Sequence, residues 1–189
     1  MNAIPSVNLE DFLSEDPHRK QAFVEAIGKA YEEIGFVALK GHFLDQKLSD
    51  DLYREIAGFF ELEDRIKEGY EIPGIGGQRG YTSFGKESAK GKSEGDLKEF
   101  WHFGQYVENN SKLEAEYPPN VLVSELEHFN TVGKEAFKQL ERTAKYVLRA
   151  LALYLNIDEF YFDNFILNGN SILRPIHYPP IFKEPKGAE

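Results

Sequence analysis

Three stretches carry side chains able to do chemistry. The run SILRPIHYPP, beginning at Ser171, reads as a strand over Asn170 to Tyr178. Strand side chains alternate between faces, so Asn170, Ile172, Arg174, Ile176 and Tyr178 share one side. Arg174 offers a planar fork of donors and Tyr178 a hydroxyl, a pair suited to a carboxylate. The plainer alternative is an arginine on a solvent-facing strand. Pro175 within the run marks a sheet edge or bulge. In GQRGYTSFG, Arg79 stands beside Tyr81 in a glycine-flanked loop, a placement that suits covering a small anion. An ordinary polar loop is the alternative there. In DLKEFWHFG, Glu99 and His102 have Glu-x-x-His spacing. On a helix both would lie on one face, as in di-iron bundles. The run alternates as a strand, which sends them to opposite faces, so no metal site is assigned.

Other chemistries lack their residues. There is no cysteine, which removes thiolate metal sites, disulfides and thiol nucleophiles. No Gly-x-Ser-x-Gly elbow occurs. GIGGQRG lacks the spacing of a dinucleotide loop, and SAKGKSEG lacks the upstream glycine of a phosphate loop.

The elements that must position these residues follow from periodicity and punctuation. Ile4 to Leu9 reads as a first strand. Asp16 and Pro17 open a helix, as N-cap and first helical residue. Phe23, Ile27, Ala30, Tyr31 and Ile34 form its apolar stripe, and Gly35 ends it. FVALKG is expected as a buried strand. Asp45 opens a second helix with Leu48, Leu52, Ile56, Phe59 and Phe60 on one face. Gly69 to Gly95 reads as a long irregular loop. DLKEFWHFGQYV is a strand, Pro118 and Pro119 open a helical region reaching about Asn156, and Gly133 is a point where it can divide. DEFYFDNFI reads as a short helix capped by Asp158. The expected divisions are residues 1–120 as an N-terminal region, 121–169 as a long helical segment packing on the sheet, and 170–189 as the start of a β core.

Composition bounds the class. At 189 residues, 41% hydrophobic and 29% charged, the chain has material for a real core and is a soluble globular protein. Aromatics at 14% point to an aromatic core or an aromatic-lined pocket. A formal net charge of −10 argues against nucleic acid and against an anionic membrane surface. The N-terminus has no basic segment followed by an apolar run, and no stretch is long and apolar enough to span a bilayer. The expected location is cytoplasmic.

The ordered set of motifs resembles one family. IPSVNLEDF and AYEEIGFVALKGH, then RGYTSFGKE with DLKEFWHFG, then ILRPIHYPP, are similar to the N-terminal region of the isopenicillin N synthase-like non-haem Fe(II)/2-oxoglutarate-dependent oxygenases. The resemblance implies an α+β chain: a helical and strand N-terminal portion followed by the first strands of a double-stranded β-helix, a jelly-roll-like fold, here incomplete. It implies a dioxygenase that oxidises a small molecule with O2 by hydroxylation, desaturation or ring closure, using Fe(II) and 2-oxoglutarate in the complete protein. Arg79, Tyr81, Arg174 and Tyr178 are the implied substrate or cosubstrate contacts. The family position two before Tyr178 is often Asn; here it is Ile176. The family's iron ligands, a His-x-Asp pair and a later His, have no counterpart in this sequence. The chain is therefore expected to be the front of a longer enzyme, inactive by itself and binding neither cofactor. The rival readings are a non-catalytic small-carboxylate-binding module and a module completed by a partner chain.

Overall fold

The computed structural model describes residues 3–88, 95–107, 113 and 116–182. The Gly-Lys-Ser run at 91–93 lies outside them. The chain is α+β and divides into two compact units, Met1–Gln46 with Lys138–Gly169, and Lys47–Phe137 with Asn170–Glu189.

In the first unit, β1 (Ser6–Asn8) runs directly into the short α1 (Leu9–Phe12), and α2 (Pro17–Glu33) follows. The start of α2 is as expected: the Asp16 side chain accepts from the His18 amide at 2.9 Å, and Pro17 holds the first helical position. Gly35, at φ +81, ends it in the left-handed conformation that favours glycine. β2 (Ala38–Lys40) pairs parallel with β1, Val7 opposite Leu39. The expected buried strand is instead only three residues long and largely exposed, because a two-stranded ribbon covers one side of it at most.

The long helix α5 (Phe129–Tyr154) supplies residues to both units. It begins at Phe129 and not at the proline pair, and it passes through Gly133 without a break. Val7, Leu9, Phe12, Phe23, Val24, Ile27 and Ala150 form the buried core of the first unit. Gly28 is required there, since a Cβ at that position would lie 2.1 Å from the Tyr154 ring. Asp158 accepts from the Phe160 amide in a turn, and the helix expected there, α6, starts later, at Asp163, and ends at Ile166.

The second unit is built on α3 (Gln46–Phe60), α4 (Asp64–Glu68) and a four-stranded antiparallel sheet. The stretch expected to be irregular contains β3 (Gly80–Thr82), reached through Gly74, Gly76 and Gly77, all at positive φ. β4 (Glu99–Gly104) is central: β3 pairs on one side, β5 (Ile172–Leu173) and β6 (Ile176–His177) on the other. The single C-terminal strand expected from sequence is thus interrupted at Arg174 and Pro175. Proline has no N–H for the ladder, although its carbonyl still accepts from Trp101 N at 3.0 Å.

Alternation along β4 divides its side chains between two environments. Trp101 and Phe103 face the apolar core with Phe59, Phe129 and Phe137; Trp101 packs 4.8 Å from Phe59 and 5.1 Å from Phe129 between ring centroids. Gly133 lets Phe103 approach α5, since a Cβ there would meet that ring at 2.3 Å. Phe100, His102 and Gly104 lie on the other face.

Candidate functional site

Both faces of β4 carry polar groups, and they do different things. On the core side, Glu99 is buried and gathers three donors. Lys67 Nζ lies 2.8 Å from Oε2, Tyr81 donates its hydroxyl to the same oxygen, and His177 Nδ1 sits 2.8 Å from Oε1. Lys67 is buried as well and also donates to the Phe60 carbonyl at 3.2 Å. His177 stacks on Phe60 with ring centroids 5.1 Å apart. Burial by itself would raise the Glu99 carboxyl; the bonds from Lys67, Tyr81 and His177 outweigh it and hold the group below the usual carboxylate range. Burial, reinforced by Glu99, pushes the Tyr81 phenol upward. This network ties α4, β3, β4 and β6 together.

On the opposite face the chemistry is cationic. Arg174 falls across from His102, as the pairings Phe103 to Leu173 and Phe100 to Ile176 require. Its Nε donates to His102 Nε2, and its guanidinium lies 4.5 Å over the Phe100 ring. His102 Nδ1 lies 2.5 Å from the Gly77 carbonyl. An imidazole that accepts at Nε2 carries its proton on Nδ1 and is neutral, so it donates to Gly77. Burial lowers the His102 pKa to about 4, and the nearby Arg174 and Arg79 charges add to the effect. Arg174 Nη1 lies 3.6 Å from Glu87 Oε2, a carboxylate that also holds Lys98 Nζ at 2.8 Å.

Arg79 is completely buried. Its Nη1 donates to the Gln78 carbonyl at 2.7 Å and its Nη2 to Asn170 Oδ1 at 3.1 Å, while Nε has no hydrogen-bond partner among the described residues. The guanidinium lies against Gly104, where an added Cβ would come within 1.8 Å of its central carbon. Burial lowers the Arg79 pKa below the ordinary arginine range. Asn120 closes the end of β4, accepting from Gly104 N at 2.7 Å and donating to Gly104 O at 3.0 Å.

The structure therefore divides the four residues singled out from sequence. Arg79 and Arg174 belong to the His102 face of the sheet. Tyr81 does not join them: it packs in the aromatic core with its hydroxyl committed to Glu99. Tyr178 follows β6 and is 67% exposed. Glu99 and His102 lie on opposite faces, as strand alternation requires. Sequence reasoning missed the roles of Lys67, His177, Asn120 and His102. The one available signal was a Glu and a His inside an aromatic strand run, where a polar side chain must find a partner.

Among the described residues, no group of three or more His, Cys, Asp or Glu side chains converges as a metal site. The donors among the described residues do not fit an iron centre. Arg174 carries the donor type that suits a carboxylate.

Comparison with known proteins gives the context. Residues 4–125 match the family model described as non-haem dioxygenase in morphine synthesis, N-terminal. Proline hydroxylase buaE of Petromyces alliaceus is 26% identical over 185 residues, covering 94% of this chain and 56% of that protein. A solved structure from Caulobacter crescentus, assigned to the 2OG-Fe(II) oxygenase family, matches 97% of this chain and 59% of its own, with TM-score 0.84 and 34% identity. A full-length Neurospora crassa protein solved in complex with alpha-KG matches 93% of this chain and 54% of its own, with TM-score 0.77 and 26% identity. The chain spans about half the length of the curated relatives it matches.

Proposed function

The chain belongs to the non-haem dioxygenase N-terminal family, within the 2-oxoglutarate-Fe(II) oxygenases, and on that premise we propose that it is the N-terminal part of an enzyme oxidising a small molecule with O2. The reaction is a hydroxylation, desaturation or ring closure. The observation that carries this reading is the cationic face of β4. Arg174 stands there with one edge held by His102 and a carboxylate already beside Nη1. Arg174 and Tyr178 contact the carboxylate of substrate or cosubstrate, and Arg79 supports the same face from beneath. Tyr81 contributes indirectly, by fixing β3 against Glu99. Iron, when bound in the whole protein, supplies the redox chemistry with O2; its ligands come from sequence other than the residues described here.

The test is the coding sequence after codon 189. A frame continuing into His-x-Asp, a later His and Arg-x-Ser supports the oxygenase reading. A frame lacking those residues moves the assignment to a non-catalytic carboxylate-binding module, a reading favoured by the cationic face, beside which no three metal ligands converge among the described residues.

A further inference from the structure

The geometry points to His102 as a positioning residue that aims Arg174, with the glycine loop before β3 holding His102 in turn. This rests on the reading of Arg174 as the carboxylate contact. An arginine on a strand has a long, mobile side chain, and a fork binds two carboxylate oxygens well only when its plane is fixed in advance. Here two contacts fix it. Nε donates to His102 Nε2, and the Phe100 ring lies beneath the guanidinium at 4.5 Å. With Nε engaged, the edge formed by Nη1 and Nη2 is left for an anion. Glu87, 3.6 Å from Nη1, is the only carboxylate among the described residues that pairs with Arg174.

His102 can do this only as the Nδ1–H tautomer. The Gly77 carbonyl selects that tautomer by accepting from Nδ1 at 2.5 Å. Gly77 reaches the position at φ +70, and a Cβ there would lie 2.8 Å from Thr82 Oγ1. The chain of causes therefore runs from a backbone conformation suited to glycine, to a ring orientation, to the plane of an arginine. Two cations near the ring, Arg174 and Arg79, oppose its protonation, which would remove the acceptor.

The experiment uses the full chain, nitrogen-15 NMR, and succinate as a carboxylate probe. In the unsubstituted protein the Arg174 Nε–H is expected as a slowly exchanging signal coupled to His102 Nε2, with His102 in the Nδ1–H form. His102→Asn keeps a group near Gly77 but withdraws the acceptor, and should speed exchange of that signal about tenfold or more, the equivalent of one lost hydrogen bond to a charged donor. His102→Gln places an oxygen near the former Nε2 and should restore protection and the succinate-induced shifts at Arg174. Equal behaviour of the Asn and Gln variants, or an unprotected Nε–H in the unsubstituted protein, overturns the positioning role. If the Nε–H is protected in a His102-dependent way but succinate leaves Arg174 unmoved, His102 keeps its role and the reading of Arg174 as a carboxylate contact fails instead.

Discussion

The two faces of β4 make different demands on single residues. Lys67 and Glu99 are a buried ion pair, and removing one partner leaves an uncompensated charge. Lys67→Met should lower the unfolding free energy by about 3–5 kcal/mol, while Lys67→Met with Glu99→Gln, which removes the charge but keeps an acceptor for Tyr81 and His177, should recover most of that loss. Chemical denaturation of both variants measures the difference; equal losses would show that the pair is not the source of the effect. Acid should also weaken the fold. The His102 pKa is about 4 in the folded chain and ordinary when unfolded, so the unfolded state takes up a proton as pH falls from about 6.5 towards 4. Stability from neutral His102 is present above that window and lost across it, by roughly 3 kcal/mol at most. Glu99, held below its usual range, contributes stability above the unfolded value of 4.5 that is lost on further acidification. Urea midpoints measured in this range should fall with pH, and His102→Gln should flatten the upper part of the profile.

At the scale of elements, close approaches between backbone and side chain decide what the sequence tolerates. Gly104→Ala sets a Cβ against the Arg79 guanidinium and should cost about 1–3 kcal/mol as an overpacked site. Asp16→Ala removes the cap of α2 and should cost about 1 kcal/mol. Thermal melts of the two variants give both values. The cap was legible because a local signal, Asp-Pro before an apolar stripe, creates it. β4 was legible because period-two alternation is also local. The break between β5 and β6 was half legible: Pro175 announced an irregularity without saying that its carbonyl stays in the ladder. β3 was not legible, because the Gly/Lys/Ser composition around it reads as loop and tertiary pairing with β4 overrides it. α4 was not legible because its five mostly charged residues, Asp64–Glu68, are too few to show a helical period. The same limit applied to the site. Arg79 and Tyr81 are two residues apart and were read together, yet the positive φ of Gly80 between them lets one side chain cover Gly104 while the other enters the core.

For the whole molecule, the family and the α+β class follow from an ordered series of motifs, whereas the cationic face depends on residues far apart in sequence, His102 and Arg174 above all. Metal chemistry is the sharpest whole-chain test. Anaerobic titration of this chain with Fe(II) should give no tight binding, since no set of three ligands converges among the described residues; a stoichiometric iron complex would refute that expectation. Tyr178, Ile181 and Phe182 follow β6 and are exposed. Large apolar groups on a surface favour association, so sedimentation should detect self-association rising with concentration, reduced when Phe182 is replaced by Ser.

The single tryptophan carries one more consequence. Trp101 is fully buried, ringed by Phe59, Phe103, Phe129 and Tyr70, and its indole N–H has no hydrogen-bond partner among the described residues. Its strand neighbours on either side, Phe100 and His102, face the opposite way. The protein thus contains its own optical probe: emission displaced to short wavelength and shielded from iodide, reporting on the aromatic core of one unit and blind to the other.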